Sequence, residues 1–230
     1  MNGLIHSSLY FGMLVSVGAY MLGVWLKKKT GWAILNPLLV AIIVVIAFLS
    51  VFHIEYKEYN RGAVYLGYFL TPATVCLAIP LYKQLELLRQ HLIAVASAIV
   101  AGVAGSVGSI YVMCRFFQLE HTHYVTLLPK SITTAIGMGV SEEAGGIVTL
   151  TVISIIITGI LGNIIADWLF RIFKIEEPIA KGLALGTAAH AIGTAKALEL
   201  GEIEGAISSL SIAVAGLLTV VVVPLMSGLI

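Results

Sequence analysis

Residues 206–229 carry no ionisable side chain. A run of that length restricts the chain more than any other feature. About 20 apolar residues in a helix span the hydrocarbon core of a bilayer. Backbone at that depth must also satisfy its own N–H and C=O groups. Comparable apolar runs lie at residues 4–26, 34–52, 63–81, 92–117 and 147–173, which predicts six full crossings. These runs are too long for barrel strands of ~10 residues. The expected fold is therefore an all-α polytopic membrane protein, with the lipid bilayer as its solvent. Only 11% of the 230 residues are charged, whereas soluble domains average about 25%. A net charge of +1 provides no basic stripe for phosphates, so no nucleic-acid partner is expected.

Two segments, 126–146 and 182–204, break the apolar pattern. Residues 135–145 read AIGMGVSEEAG and residues 191–201 read AIGTAKALELG. Both read A-I-G, five residues, E, one residue, G, 56 positions apart. Each is rich in Gly, Ser and Thr and holds ionisable groups, which are expensive at the bilayer centre. Irregular backbone at that depth is tolerated only inside protein or along a wet cavity. Each segment is expected to be a re-entrant hairpin or a broken helix, with Gly137 and Gly193 as hinges. One integral membrane domain is expected, with a four-helix region at 1–124 and a C-terminal repeat at 125–230, in units 125–173 and 182–230. Each unit adds one crossing to one hairpin, so the two copies must be inverted, with their tips meeting near the midplane.

Charge sets the expected orientation. Lys27, Lys28 and Lys29 follow the first apolar run, which argues for a retained span rather than a cleaved leader. The positive-inside rule puts this cluster in the cytoplasm and the N-terminus outside. Loops 82–91 and 170–181 then fall in the cytoplasm, and loops 53–60 and 118–124 outside.

Within the polar segments, Lys130, Ser131, Thr133 and Thr134 follow Pro129. Hydroxyls and free N–H groups at a helix start favour an anion; alternatively, the hydroxyls satisfy irregular backbone. Thr187, His190, Thr194 and Lys196 lie among small residues that leave room for a ligand. His190 either carries a proton or sits neutral against a carbonyl. Glu143 and Glu199 hold equivalent repeat positions and are candidates for gating or pairing, whereas Glu202 and Glu204 read as solvated. Phe52-His53-Ile54-Glu55 and Phe173-Lys174-Ile175-Glu176 are alike and precede Arg61-Gly62 and Lys181-Gly182. That likeness makes residues 71–74 a third broken segment, or else Pro72 merely kinks a span. Gly102, Gly105 and Gly108, with Ser106 and Ser109, give the fourth span a small face for close packing or for a partner, including a second copy. Cys76 and Cys114 read as packing residues, and no metal is expected. Enzyme motifs and a phosphate-binding glycine loop are absent, so neither an enzyme nor a cofactor is expected.

The stretches LLPKSITTAIGMGVSEEAGGI (127–147) and KGLALGTAAHAIGTAKALELGEIEGAISSL (181–210), supported by KKKTGWAILNPLL (27–39), resemble the LrgB/CidB family. The likeness runs over essentially the whole chain. It implies an inner-membrane protein working with a small, holin-like LrgA/CidA partner. In plants the two modules resemble parts of one plastid glycolate/glycerate transporter. Bacterial relatives are linked to pyruvate uptake and to control of murein hydrolase export. The resulting expectation is a secondary transporter, or transporter subunit, for small 2-oxo or 2-hydroxy monocarboxylates. Lys130 and Lys196 would supply positive charge to this small anionic substrate. Ser131, Thr133, Thr134, Thr187 and Thr194 would donate hydrogen bonds, with His190 and Glu143 coupling a proton. The alternative is a holin/antiholin-like regulator of autolysis.

Overall fold

A computed structural model describes residues 10–32 and 34–230, and every regular element among them is helical. The start of the first expected span, residues 4–9, lies outside the described residues. The chain forms two compact units, Met1–Cys76 and Leu77–Ile230. The fourth apolar run packs with the C-terminal helices.

The described part of the first unit holds α1 (Phe11–Thr30), α2 (Pro37–Val51), α3 (Tyr56–Gly67) and α4 (Leu70–Cys76). Gly31, at φ 69°, ends α1 in the left-handed conformation that glycine favours. Asn36 caps α2 by accepting from the Leu38 and Leu39 amides, and Pro37 pre-sets the first helical φ. Both α2 and α3 pack on α1. Gly12 makes the second approach possible, since a Cβ there would meet the Tyr59 carbonyl and the Ala63 amide. Ser16 seals it with a 2.7 Å bond to the Tyr59 hydroxyl.

In the second unit are α5 (Ala78–Lys83), α6 (Leu85–Gln90), α7 (Leu92–Phe116), α8 (His121–Leu127), α9 (Thr134–Glu143), α10 (Val148–Ile172), α11 (Pro178–Leu200) and α12 (Glu202–Ser227). Val95, Ile99, Val103, Val107, Ile110 and Cys114 recur every three or four positions and are buried as one stripe of α7. That stripe forms a core with Tyr124, Val125, Leu128, Ile207, Ala215 and Val223. Tyr124 is fully buried, and its hydroxyl donates to the Met226 carbonyl at 3.1 Å. On the outside, Ile93, Val112, Phe116 and Leu225 are largely exposed, as lipid-facing residues should be.

By length and composition, four helical stretches among the described residues can cross a membrane: Tyr56–Pro80, Leu92–Phe116, Val148–Ile172 and Glu202–Ser227. The 15-residue α2 is shorter; at 1.5 Å per residue it covers only about 22 Å of a ~30 Å core. The expected outer loop 53–60 shrinks, since α3 begins at Tyr56. The third apolar run is interrupted, but at residues 68–69 and at Leu77. Residues 71–74 stay inside α4, where Pro72 occupies an early position that lacks an intrahelical partner in any case.

Three helices end alike. His53, Gln118 and Lys174 all lie near φ 52° after a C-capping phenylalanine. In each, the next residue's amide reaches back five positions: Ile54 to Leu49, Leu119 to Cys114, Ile175 to Phe170, at 2.8–2.9 Å. This is the Schellman arrangement, written in sequence as F-x-(I/L)-E. The Phe117 and Phe173 caps are 56 positions apart, the same offset as the AIG repeats.

Candidate functional site

The polar segments fold back on themselves. In the first, α8 and α9 flank a turn at residues 128–133, and Thr133 at φ −64° and ψ 147° starts α9. In the second, α11 is broken at His190, with φ 41° and ψ −135°. Eight residues of continuous helix would separate their ends by about 12 Å. Instead, a Cβ on Gly193 would strike the Leu185 carbonyl, and one on Gly137 would come within 3.5 Å of the Pro129 carbonyl. Both segments are therefore hairpins, closed at the same two repeat positions. Gly137 and Gly193, the expected hinges, do not sit at the turns themselves. Neither has a positive φ; each is a close-approach residue, and the sharp turn falls three or four residues earlier.

Each hairpin is tied to the helix that follows it. In the first, Thr151 Oγ1 donates to the Thr126 carbonyl at 2.9 Å and lies 2.6 Å from Ser141 Oγ, while the Ile147 amide donates to Thr126 Oγ1 at 2.8 Å. In the second, Gly182 and Gly186 let α11 lie against the Glu204 and Ser208 carbonyls of α12. His190 is buried, and its Nε2 lies 2.9 Å from the Ile155 carbonyl of α10. A carbonyl can only accept, so Nε2 carries the proton. Asn163 Nδ2 donates to the Ile192 carbonyl beyond the break. Thr194 shares a 2.7 Å bond with Ser208.

The first hairpin's turn meets the second hairpin and two spans around a cavity of about 10 Å³, lined by Ser106, Ser131, Thr187 and Thr219 with Val103, Val107 and Ile132. That is room for about one water. Lys130 stands behind it, with Nζ 3.0 Å from Ser131 Oγ and 3.5 Å from Ser106 Oγ. Ser106 in turn donates to Ser131 at 2.9 Å. Ser131 thus accepts twice and keeps its own proton free to donate. Thr187 differs: its proton goes to the Leu183 carbonyl at 2.7 Å, leaving only acceptor capacity toward the cavity. Among the described residues no carboxylate pairs with Lys130.

Lys196, expected at a substrate carboxylate, is otherwise engaged. Its Nζ lies 2.8 Å from Asp167 Oδ2 and 3.9 Å from Glu199 Oε2. Glu199 therefore sits beside a lysine. Glu143 is exposed, and the position equivalent to Lys196 in its hairpin is Val140. Thr133 and Thr134 begin α9 without a side-chain cap bond. Glu204, expected in solvent, is buried, with its carboxylate against Gly201 in the first turn of α12. There it complements the helix dipole. Sequence reasoning passed over Asp167 and gave Ser106 only a packing role. An acid inside an apolar span was the available signal for the first.

These features define an all-α polytopic membrane protein with two hairpins packed among its spans. Residues 16–229 match the model of the LrgB-like family. The chain belongs to that family. It is 40% identical over 217 residues to the antiholin-like protein LrgB of Bacillus mycoides (strain KBAB4), and 38% identical over 216 residues to that of Bacillus subtilis (strain 168). In each case 94% of both chains is covered. No solved structure matches.

Proposed function

We propose that this protein is a non-enzymatic, antiholin-like component of the cell's plasma membrane. In this reading it acts with a small LrgA/CidA-like partner, restrains that partner's holin-like pore and thereby limits murein hydrolase export. The observation that carries the proposal is the likeness to proteins named antiholin-like LrgB over 94% of their length. The packed interior agrees with it, since the space between the hairpins takes about one water. The test is dye leakage from liposomes holding the partner alone or with this chain. Leakage should fall on co-reconstitution, and unchanged leakage would overturn the reading.

A second reading is favoured by Lys130. An ammonium held, among the described residues, by Ser106 and Ser131, beside a cavity shared by both hairpins, suits a small 2-oxo or 2-hydroxy monocarboxylate such as pyruvate, lactate, glycolate or glycerate. The matched closures at Gly137 and Gly193 support an inverted repeat whose hairpin tips bound the substrate. The cavity would have to widen by movement of one bundle against the other. Uptake of the four labelled acids into proteoliposomes tests this reading. Saturable uptake that Lys130→Met abolishes would establish transport, and its absence would leave the antiholin-like role alone.

A further inference from the structure

A second cavity lies away from the hairpin turns. It has a volume of about 370 Å³ and sits between the end of α10, the Phe173–Glu176 cap and α11. Its lining carries three cations, Arg171, Lys174 and Lys181, against two acids, Asp167 and Glu176. The acids do not balance them, because Asp167 is held by Lys196 at 2.8 Å. Among the described residues, no ion pair joins Arg171, Lys174 or Lys181 to a carboxylate. Phe170 and Leu200 supply an apolar wall.

We propose that this cavity seats a phosphate-bearing anion: the headgroup of an anionic phospholipid, or a free phosphate ester. Three features fit that chemistry. Arg171 offers the planar fork that matches phosphate oxygens in pairs. Lys174 is aimed by its backbone, since the left-handed cap at φ 51° turns the chain there and presents the residue at the cavity. Arg171 and Lys174 also lie at the end of the apolar run of α10, at the depth where lipid headgroups lie. The apolar wall beside them suits the glycerol and upper acyl region of a lipid.

Thermal unfolding of the full chain in nanodiscs tests the seat and its source. One arm varies the fraction of phosphatidylglycerol in phosphatidylcholine, and a second adds inorganic phosphate to pure phosphatidylcholine discs. Stabilisation by phosphatidylglycerol alone identifies a headgroup, and stabilisation by phosphate identifies a soluble ester. A basic residue near the membrane surface shifts such binding about fivefold, so Lys174→Gln should raise the half-saturating phosphatidylglycerol fraction or phosphate concentration about fivefold. The triple variant Arg171→Gln/Lys174→Gln/Lys181→Gln should lose the shift. Lys27→Gln/Lys28→Gln/Lys29→Gln reports general surface charge and should keep it. The proposal is overturned if neither ligand stabilises the wild type, if Lys174→Gln responds like the wild type, or if the Lys27–Lys29 variant loses as much as the triple variant.

Discussion

Asp167 and Lys196 are 29 positions apart in the chain and 2.8 Å apart in space. Lys196 is largely buried while Asp167 is more than one-third exposed, so the pair gains more than an open surface pair without a deep desolvation cost. A double-mutant cycle with Lys196→Met and Asp167→Asn should give a coupling of ~1 kcal/mol in thermal unfolding. Independent effects would mean that Lys196 is not held by Asp167. That both residues are abnormal for a membrane span was legible in the sequence. Their pairing was not, because they sit on different helices and local spacing says nothing about which helices touch. Ser106 shows the same limit. Its place among glycines advertised close packing, but only the turn at Lys130, brought in from 24 positions away, makes it a polar partner.

Among the elements, the two hairpins close at equivalent glycines with unequal margins. A methyl on Gly193 would meet the Leu185 carbonyl and the Ala189 Cβ, both held by the helix. A methyl on Gly137 would meet chiefly the tip of Ile155, a flexible end that can move. Gly193→Ala should therefore destabilise by about 1–3 kcal/mol and Gly137→Ala by less. Equal melting points for the two variants would contradict the hairpin closure. The repeat that predicted both segments was readable because its polar residues interrupt apolar surroundings. Which residue turns was not readable. His190 takes a φ of 41°, where glycine would be expected, and its ring is anchored to the Ile155 carbonyl from another helix. The caps offer a second test at this scale. Gln118 adopts a left-handed φ that costs a side-chain residue ~1 kcal/mol, so Gln118→Gly should raise the melting temperature. A lower melting temperature would show that Gln118 makes contacts worth more than the strain.

For the whole molecule, apolar run length gave the membrane class and most helix positions from residue 92 onward, where α7 and α10 fall within one residue of their expected ends. The N-terminal half was less legible, because α3, α4 and α5 divide one apolar run at positions without a common breaker residue. Orientation is open to direct test. Cysteines placed in residues 118–120 and 174–176 flank the single span α10, so they should be labelled from opposite sides of the membrane. Labelling from one side would exclude an inverted repeat.

The offset of 56 holds without a gained or lost residue from the Phe117 and Phe173 caps, through both hairpin turns, to Gly145 and Gly201. Each added residue rotates the rest of a helix by about 100°. One extra residue between Pro129 and Gly137 would swing that glycine away from the carbonyl it closes against, and the same holds for Leu185 and Gly193. Length, more than side-chain identity, is thus the constrained quantity across these segments. Substitutions there should be graded in their effects, whereas single-residue insertions and deletions should be close to all-or-none.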